Sequence, residues 1–223
     1  MNSDYIVLIP ARNGSKGLPN KNIKLLNGKP LFMYAVEQGL KFSNRVIIST
    51  NIPQILNMQP IEGVEIHKRS EAIAQDISTM DEVIHDLILS KNLMEMNLIL
   101  LQPTSPLRTS YDILESINIF EKNNFDVLFT STFENKSILK SGFTEGNKFF
   151  PISNPEYCFT NRQSLPEVYK PNGAIYIFKA NKFLEKSKIP SANMGTFTMP
   201  EDRSIDIDND DDFKKAEMII RAL

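Results

Sequence analysis

The 223-residue sequence has one cysteine, Cys158, so no disulfide can form within the chain, and a reducing setting such as the cytoplasm is expected. Long apolar runs are lacking. Residues 1–4 are polar, and the short run after them is too brief for a signal peptide or a membrane span, so no membrane partner is expected. Charge of one sign is lacking too: 25 Lys and Arg against 27 Asp and Glu leave a net charge of −2. No global field draws the chain to nucleic acid or anionic lipid. Neither common glycine-rich nucleotide fingerprint, the phosphate loop nor the dinucleotide turn, is found. There is no repeat, low-complexity tract or obvious linker. What remains is a composition of 41% hydrophobic and 23% charged residues, long enough for one large domain with a proper core.

Five apolar runs, at 5–10, 45–50, 64–69, 98–102 and 126–132, predict buried strands, and a sixth is expected at 173–178. They are rich in Ile, Val, Leu and Phe without strict alternation, as strands covered on both faces should be. Helical periodicity separates them at 30–42, 79–93 and 111–121, and returns near 181–185 and at the end of the chain. The alternation predicts an α/β fold: a Rossmann-like, mostly parallel sheet flanked by helices. Residues 133–171 break the rhythm and read as a small excursion from a single domain spanning 1–223. Residues 187–199 look irregular.

Two stretches carry the chemistry. Directly after the first predicted strand comes IPARNGSKGLPNKN, residues 9–22. Gly14 and Gly17 let backbone amides approach an anion, Arg12 offers a bidentate fork, and Lys16 and Lys21 supply compact charges. In α/β sheets ligands bind beyond the carboxyl ends of strands. The stretch is either a polyphosphate cradle or a solvated basic turn. Near the far end, Asp206 and Asp208 alternate with Ile205 and Ile207; on a strand both carboxylates share one face, as a magnesium site completed by phosphates requires. The Asp210, Asp211 and Asp212 that follow read as helix caps. Cradle and carboxylate pair together point to nucleotide chemistry.

Four segments in order resemble the acylneuraminate cytidylyltransferases, the CMP-sialic acid synthetases: residues 9–22, LLQPTSPLR at 100–108, RQSLPEVYKPNGAIY at 162–176 and SIDID at 204–208. The resemblance covers essentially the whole chain. It implies transfer of CMP from CTP to the anomeric hydroxyl of a nine-carbon 2-keto sugar acid, with release of pyrophosphate. It implies that Ala11, Arg12, Asn13, Gly14, Lys16, Asn22, Arg69 and Ser78 bind the nucleotide, and that Gln102, Lys140, Arg162 and Tyr176 bind the sugar acid. By the same likeness Asp206 and Asp208 hold Mg2+, Arg12 and Lys16 join them in catalysis, and the excursion helps to build a homodimer and the sugar pocket.

The chain departs from the family pattern at Ile189 and Pro190, where an aromatic pair from the partner subunit is expected, so legionaminate and pseudaminate stand beside N-acetylneuraminate as acceptors. The related octulosonate enzymes carry QGDEP where this chain has QPTSP at 102–106. A transferase for another sugar acid and a non-catalytic nucleotide-binding module are the alternatives. His67 and His85 read as structural, and Cys158 has no partner that would make it a nucleophile or metal ligand.

Overall fold

The computed structural model describes residues 4–14, 17–70 and 79–222. The chain runs through β1 (Tyr5–Ala11), β2 (Leu25–Leu26), β3 (Lys29–Pro30), α1 (Leu31–Gly39), β4 (Val46–Thr50), α2 (Pro53–Leu56), β5 (Val64–Lys68), α3 (Met80–Ser90), β6 (Asn97–Leu101) and α4 (Ser110–Asn123). It continues with β7 (Val127–Glu134), β8 (Gly142–Glu145), β9 (Lys148–Pro151), β10 (Val168–Lys179), α5 (Ala180–Leu184), β11 (Met194–Thr198) and α6 (Asp210–Ala222). Seven strands make the central sheet in the order β11-β7-β10-β6-β1-β4-β5. Only β10 runs against the rest, pairing antiparallel with both β6 and β7. The expected Rossmann-like, mostly parallel sheet is the fold.

The strand runs do not alternate because both faces are covered. Along β1, Tyr5, Val7, Ile9 and Ala11 enter one apolar cluster, with residues of α1, α2 and α4. Ile6 and Leu8 enter another, with α3 and α5. Helix starts follow from local chemistry. Thr79 and Glu82 close a capping box on α3, and Thr109 and Asp112 do the same on α4.

Three expectations need correction. Residues 187–199 are not irregular throughout: β11 lies within them, at the sheet edge and parallel to β7. Its residues Met194-Gly-Thr-Phe-Thr are mostly exposed, so there was no apolar run to see. Second, 205–208 is not a strand; a single backbone bond, Ile207 N–H to the Thr104 carbonyl at 2.8 Å, replaces a ladder. The expected in-out alternation survives, because Ile205 and Ile207 pack into one small cluster with Leu18, Leu107 and Phe213 while Asp206 and Asp208 lie outside it, Asp208 in the open and Asp206 with its carboxylate partly desolvated against a recess. Third, the cap of α6 is Asn209, whose Oδ1 accepts from the amides of Asp211 and Asp212. Asp212 closes the box by accepting from the Asn209 and Asp208 amides, whereas Asp210 pairs with Lys24 and Lys214.

Within 133–171 the ends of β7 and β10 pair as far as Glu134 and Val168, and β8 and β9 form a separate hairpin.

Candidate active site

From β1 the chain steps outward to β4 and β5, then returns to β6 on the other side of β1. The strand order therefore reverses between β1 and β6, where open α/β sheets form their ligand crevice. A cleft of about 370 Å³ lies there, walled by Arg12, Gly17, Lys21 and Asn22 from the first turn. Arg69 enters it from beyond β5, Met80 and Val83 from α3, Gln102 and Thr104 from beyond β6, and Asp208 from the far end of the chain.

The first turn is held by its own amides. Asn51 Oδ1, beyond β4, accepts from the Asn13 amide at 2.8 Å, and Asn13 Oδ1 accepts from the Gly14 amide at 2.9 Å. Gly14 has φ 79°, a left-handed conformation that glycine adopts without steric cost. Asn22 is buried, and its Nδ2 donates to the Arg12 carbonyl at 2.9 Å. It therefore braces the turn as well as lining the cleft. Ala11 is the buried last residue of β1. Gly17 serves by close approach: a Cβ there would stand 2.3 Å from the Asp208 carbonyl oxygen. Lys16 and Ser78 lie outside the described residues.

Two guanidinium groups line the cleft, Arg12 from beyond β1 and Arg69 from beyond β5. Arg69 is only 5% exposed. Burial, then the Arg12 charge beside it, lower its pKa to about 10. Two like charges held close together in a partly dry cleft suit a polyanion such as a polyphosphate.

Asp208 is anchored by Lys21, whose ammonium lies 3.1 Å from Oδ1. Lys21 also donates to the Ile207 carbonyl, so it is a brace for this segment rather than an independent phosphate charge. Asp206 lines an adjoining recess with Gln102, Thr132, Lys170, Asn172 and Tyr176. Burial, then the nearby Asp208 charge, raise its pKa, against a hydrogen bond to Thr104 and the Lys21 charge that lower it. Among the described residues no group of three or more His, Cys, Asp or Glu could hold a metal alone. Two carboxylates of which one is destabilised by the other fit a magnesium ion that takes its remaining ligands from phosphate oxygens and water.

The structure thus brings Ala11, Arg12, Asn13, Gly14, Asn22, Arg69, Gln102, Asp206 and Asp208 to one end of the sheet, with Gln102 in the wall of both cavities. Tyr176 lines the recess; burial raises its pKa, with the Asp206 charge adding to it. Lys140 and Arg162 line neither cavity: Lys140 ends a short 3-10 turn and Arg162 is exposed at the start of another.

Sequence reading missed Asn172 and Arg108. Asn172 is buried, accepts from Thr130 and from the Ala174 amide, and donates to Ser204 Oγ at 2.9 Å. It ties the irregularity in β10 to the segment carrying Asp206. Arg108, with its guanidinium fully enclosed, donates to the Gln102 and Ala174 carbonyls at 2.8 and 3.0 Å, joining the two walls of the recess. Burial, partly offset by Asp112, lowers its pKa to about 9. Both residues sit inside the quoted motifs, but their role is visible only once β6 and β10 are neighbours.

The cytidylyltransferase family profile matches residues 6–220. The chain is 31% identical over 226 residues to the CMP-N,N'-diacetyllegionaminic acid synthase of Legionella pneumophila, covering 96% of this chain and 95% of that one. It is 30% identical over 214 residues to the N-acylneuraminate cytidylyltransferase of Streptococcus agalactiae serotype V, covering 93% of this chain but 51% of that protein. The chain therefore spans about half the length of that relative. A CMP:2-keto-3-deoxy-manno-octonic acid synthetase solved with CTP shares the fold, with a TM-score of 0.71, 17% identity and 99% of each chain covered. No described helix is long and apolar enough to cross a membrane.

Proposed function

Because the chain belongs to the cytidylyltransferase family, we propose that it transfers CMP from CTP to the anomeric hydroxyl of a nine-carbon 2-keto sugar acid, of N-acetylneuraminate, legionaminate or pseudaminate type, and releases pyrophosphate. The observation that carries this reading is the pair of cavities at the reversal of strand order: a cleft with Arg12, Lys21 and Arg69 in its wall and a polar recess with Lys170, Tyr176 and Asp206, the two sharing Gln102. The first suits a triphosphate and the second a hydroxylated acid. The names of the two relatives, one a synthase for a CMP-legionaminic acid and one an N-acylneuraminate cytidylyltransferase, support the acceptor class.

In this reading Ala11, Arg12, Asn13, Gly14, Lys16, Asn22, Arg69 and Ser78 bind CTP. Arg12 and Lys16 hold the β- and γ-phosphates, and their charge stabilises the pyrophosphate as it leaves. Gln102 and Tyr176 orient the sugar acid so that its hydroxyl faces the α-phosphorus in line with the departing oxygen. Lys140 and Arg162 belong to the sugar-acid pocket through their place in the family pattern. Asp206 and Asp208 are the residues that would hold magnesium. When bound, the ion supplies charge neutralisation across the phosphates.

Residues 133–171, a protruding part of the single domain, carry Phe133, Phe143, Phe149 and Phe159, all exposed and the last 92% so. Large apolar side chains gathered on one excursion support pairing with a second copy of the chain. A cytoplasmic setting, with its supply of CTP and its reducing conditions, completes the reading.

The test is incubation of the purified protein with CTP, Mg2+ and a panel of nonulosonic acids, with octulosonate as a competing acceptor, followed by pyrophosphate measurement. Turnover with at least one nonulosonic acid is expected. Absence of turnover with the whole panel would overturn the proposal.

A further inference from the structure

Behind Arg69 lies a chain of hydrogen bonds that leaves the cleft. Arg69 Nε donates to Ser49 Oγ and Nη2 donates to the Ser49 carbonyl, each at 3.2 Å. Ser49 Oγ lies 3.0 Å from His67 Nδ1, and His67 Nε2 lies 3.0 Å from Asp86 Oδ2. Ser49 and His67 are direct register partners on β4 and β5, so their side chains emerge on the same face of the sheet. Ser49, His67 and Arg69 are buried, and Asp86 reaches them from α3.

The direction of every proton in this chain follows from the donor inventory. A guanidinium can only donate, so Ser49 Oγ is the acceptor for Arg69. The hydroxyl keeps one proton of its own, and the partner within reach is His67 Nδ1. The Asp86 carboxylate can only accept, so the proton of the neutral ring sits on Nε2, and the bare Nδ1 accepts from the Ser49 hydroxyl. A charged imidazole would put a proton on Nδ1 and take away the acceptor of the Ser49 hydroxyl proton.

We propose that His67, fixed as the Nε2–H tautomer by Asp86, is a positioning residue that aims Arg69 into the nucleotide cleft through Ser49. The inference rests on the reading above, in which Arg69 binds CTP. The need for a brace comes from the cleft itself, where Arg12 repels Arg69 before a nucleotide arrives. Without an anchor behind it, the Arg69 side chain is free to swing away from its neighbour, and CTP binding must then supply the cost of returning it. The environment keeps the ring neutral: burial lowers the His67 pKa, with Lys91 and Arg69 acting in the same sense and Asp86 against them.

Steady-state kinetics on three proteins tests the proposal. His67→Leu removes the acceptor, and KM for CTP should rise about fivefold to tenfold, the equivalent of one lost hydrogen bond. Its kcat and its KM for the sugar acid should stay within about twofold, since the lost contact serves the bound nucleotide in the ground state and the transition state alike. His67→Asn, whose Oδ1 stands close to the former Nδ1, should recover most of the CTP affinity. On the unaltered protein, nitrogen NMR of the ring at neutral pH should report a bare Nδ1 and a protonated Nε2. An unchanged KM for CTP in the leucine variant, no recovery with asparagine, or an Nδ1–H ring would each overturn the proposal. Failure of the functional reading looks different: the unaltered protein would then release no pyrophosphate with any nonulosonic acid. Calorimetric CTP affinities of the same three proteins would still decide the role of His67.

Discussion

Replacing Gly17 by alanine places a methyl carbon 2.3 Å from the Asp208 carbonyl oxygen and 3.4 Å from its carbonyl carbon. Ordinary contact begins near 3.4 Å, so the first turn and the 206–208 segment must separate by roughly 1 Å. Neither side yields freely. Asp208 is held by Lys21 and by the Asp212 carboxylate on its amide, and Ile207 is held by Thr104. On the other side, Leu18 is buried in the same apolar cluster as Ile207. Overpacking of this kind costs about 1–3 kcal/mol. The larger effect falls on chemistry, because a carboxylate moved by about 1 Å from its working position lowers turnover on the order of 10²-fold. The assay is pyrophosphate release with CTP and the best acceptor across a magnesium titration, beside thermal melting. Gly17→Ala should lose about two orders of magnitude in kcat/KM and require more magnesium, with a Tm drop of a few degrees. Gly146→Ala is the control: its φ of 58° strains an alanine, but no atom lies within 4 Å of the added carbon. It should lose about 1 kcal/mol of stability and no activity. A Gly17→Ala enzyme with activity within threefold of the parent would refute the close-approach argument.

Asp206 is destabilised by burial and by Asp208, so Asp206→Asn should raise Tm in metal-free buffer while reducing turnover at least about 10²-fold; a lower Tm would show that its charge helps the fold. Arg108→Met leaves the Gln102 and Ala174 carbonyls without their donor, and urea denaturation should report a loss of about 2–4 kcal/mol; unchanged stability would show that these contacts are dispensable. His67 has its pKa depressed on folding, so the unfolded chain takes up a proton first as the pH falls below about 6.5. Stability from this site is therefore full above that pH and is lost as the pH falls toward the lower folded value, and His67→Asn should flatten that part of the curve. Light scattering should give about twice the 25.4 kDa chain mass, and Phe159→Asp should shift the protein toward the monomer; a monomeric parent would contradict the pairing.

The sheet was legible because its central strands are apolar runs that no solvent-facing element could carry, from Val7 and Ile9 to Ile99 and Leu100. β11 was not, because an edge strand with exposed Met194, Thr196 and Thr198 has no such constraint. The helices were legible from apolar periodicity at 79–93 and 111–121, while the capping boxes that start them, at Thr79 and Thr109, went unread. At the site, the charges of residues 9–22 and of Asp206 and Asp208 could be read from composition and spacing. Their bracing could not. That Lys21 also pairs with Asp208, and that the Asn22 amide also donates to the Arg12 carbonyl, is written in no local pattern. Ser49, His67, Arg108 and Asn172 act through partners on neighbouring strands, and a linear sequence does not say which strands are neighbours.

The central claim is that the sugar acid's own anomeric oxygen attacks the α-phosphorus of CTP. The most direct measurement supplies the enzyme with an acceptor carrying 18O at the anomeric hydroxyl and follows the label by phosphorus NMR of the CMP product. The account predicts that the label is retained in the bridge between sugar and phosphorus, with unlabelled pyrophosphate released in equal amount. A CMP-sugar whose bridging oxygen comes unlabelled from the nucleotide, or no CMP-sugar at all, would contradict it.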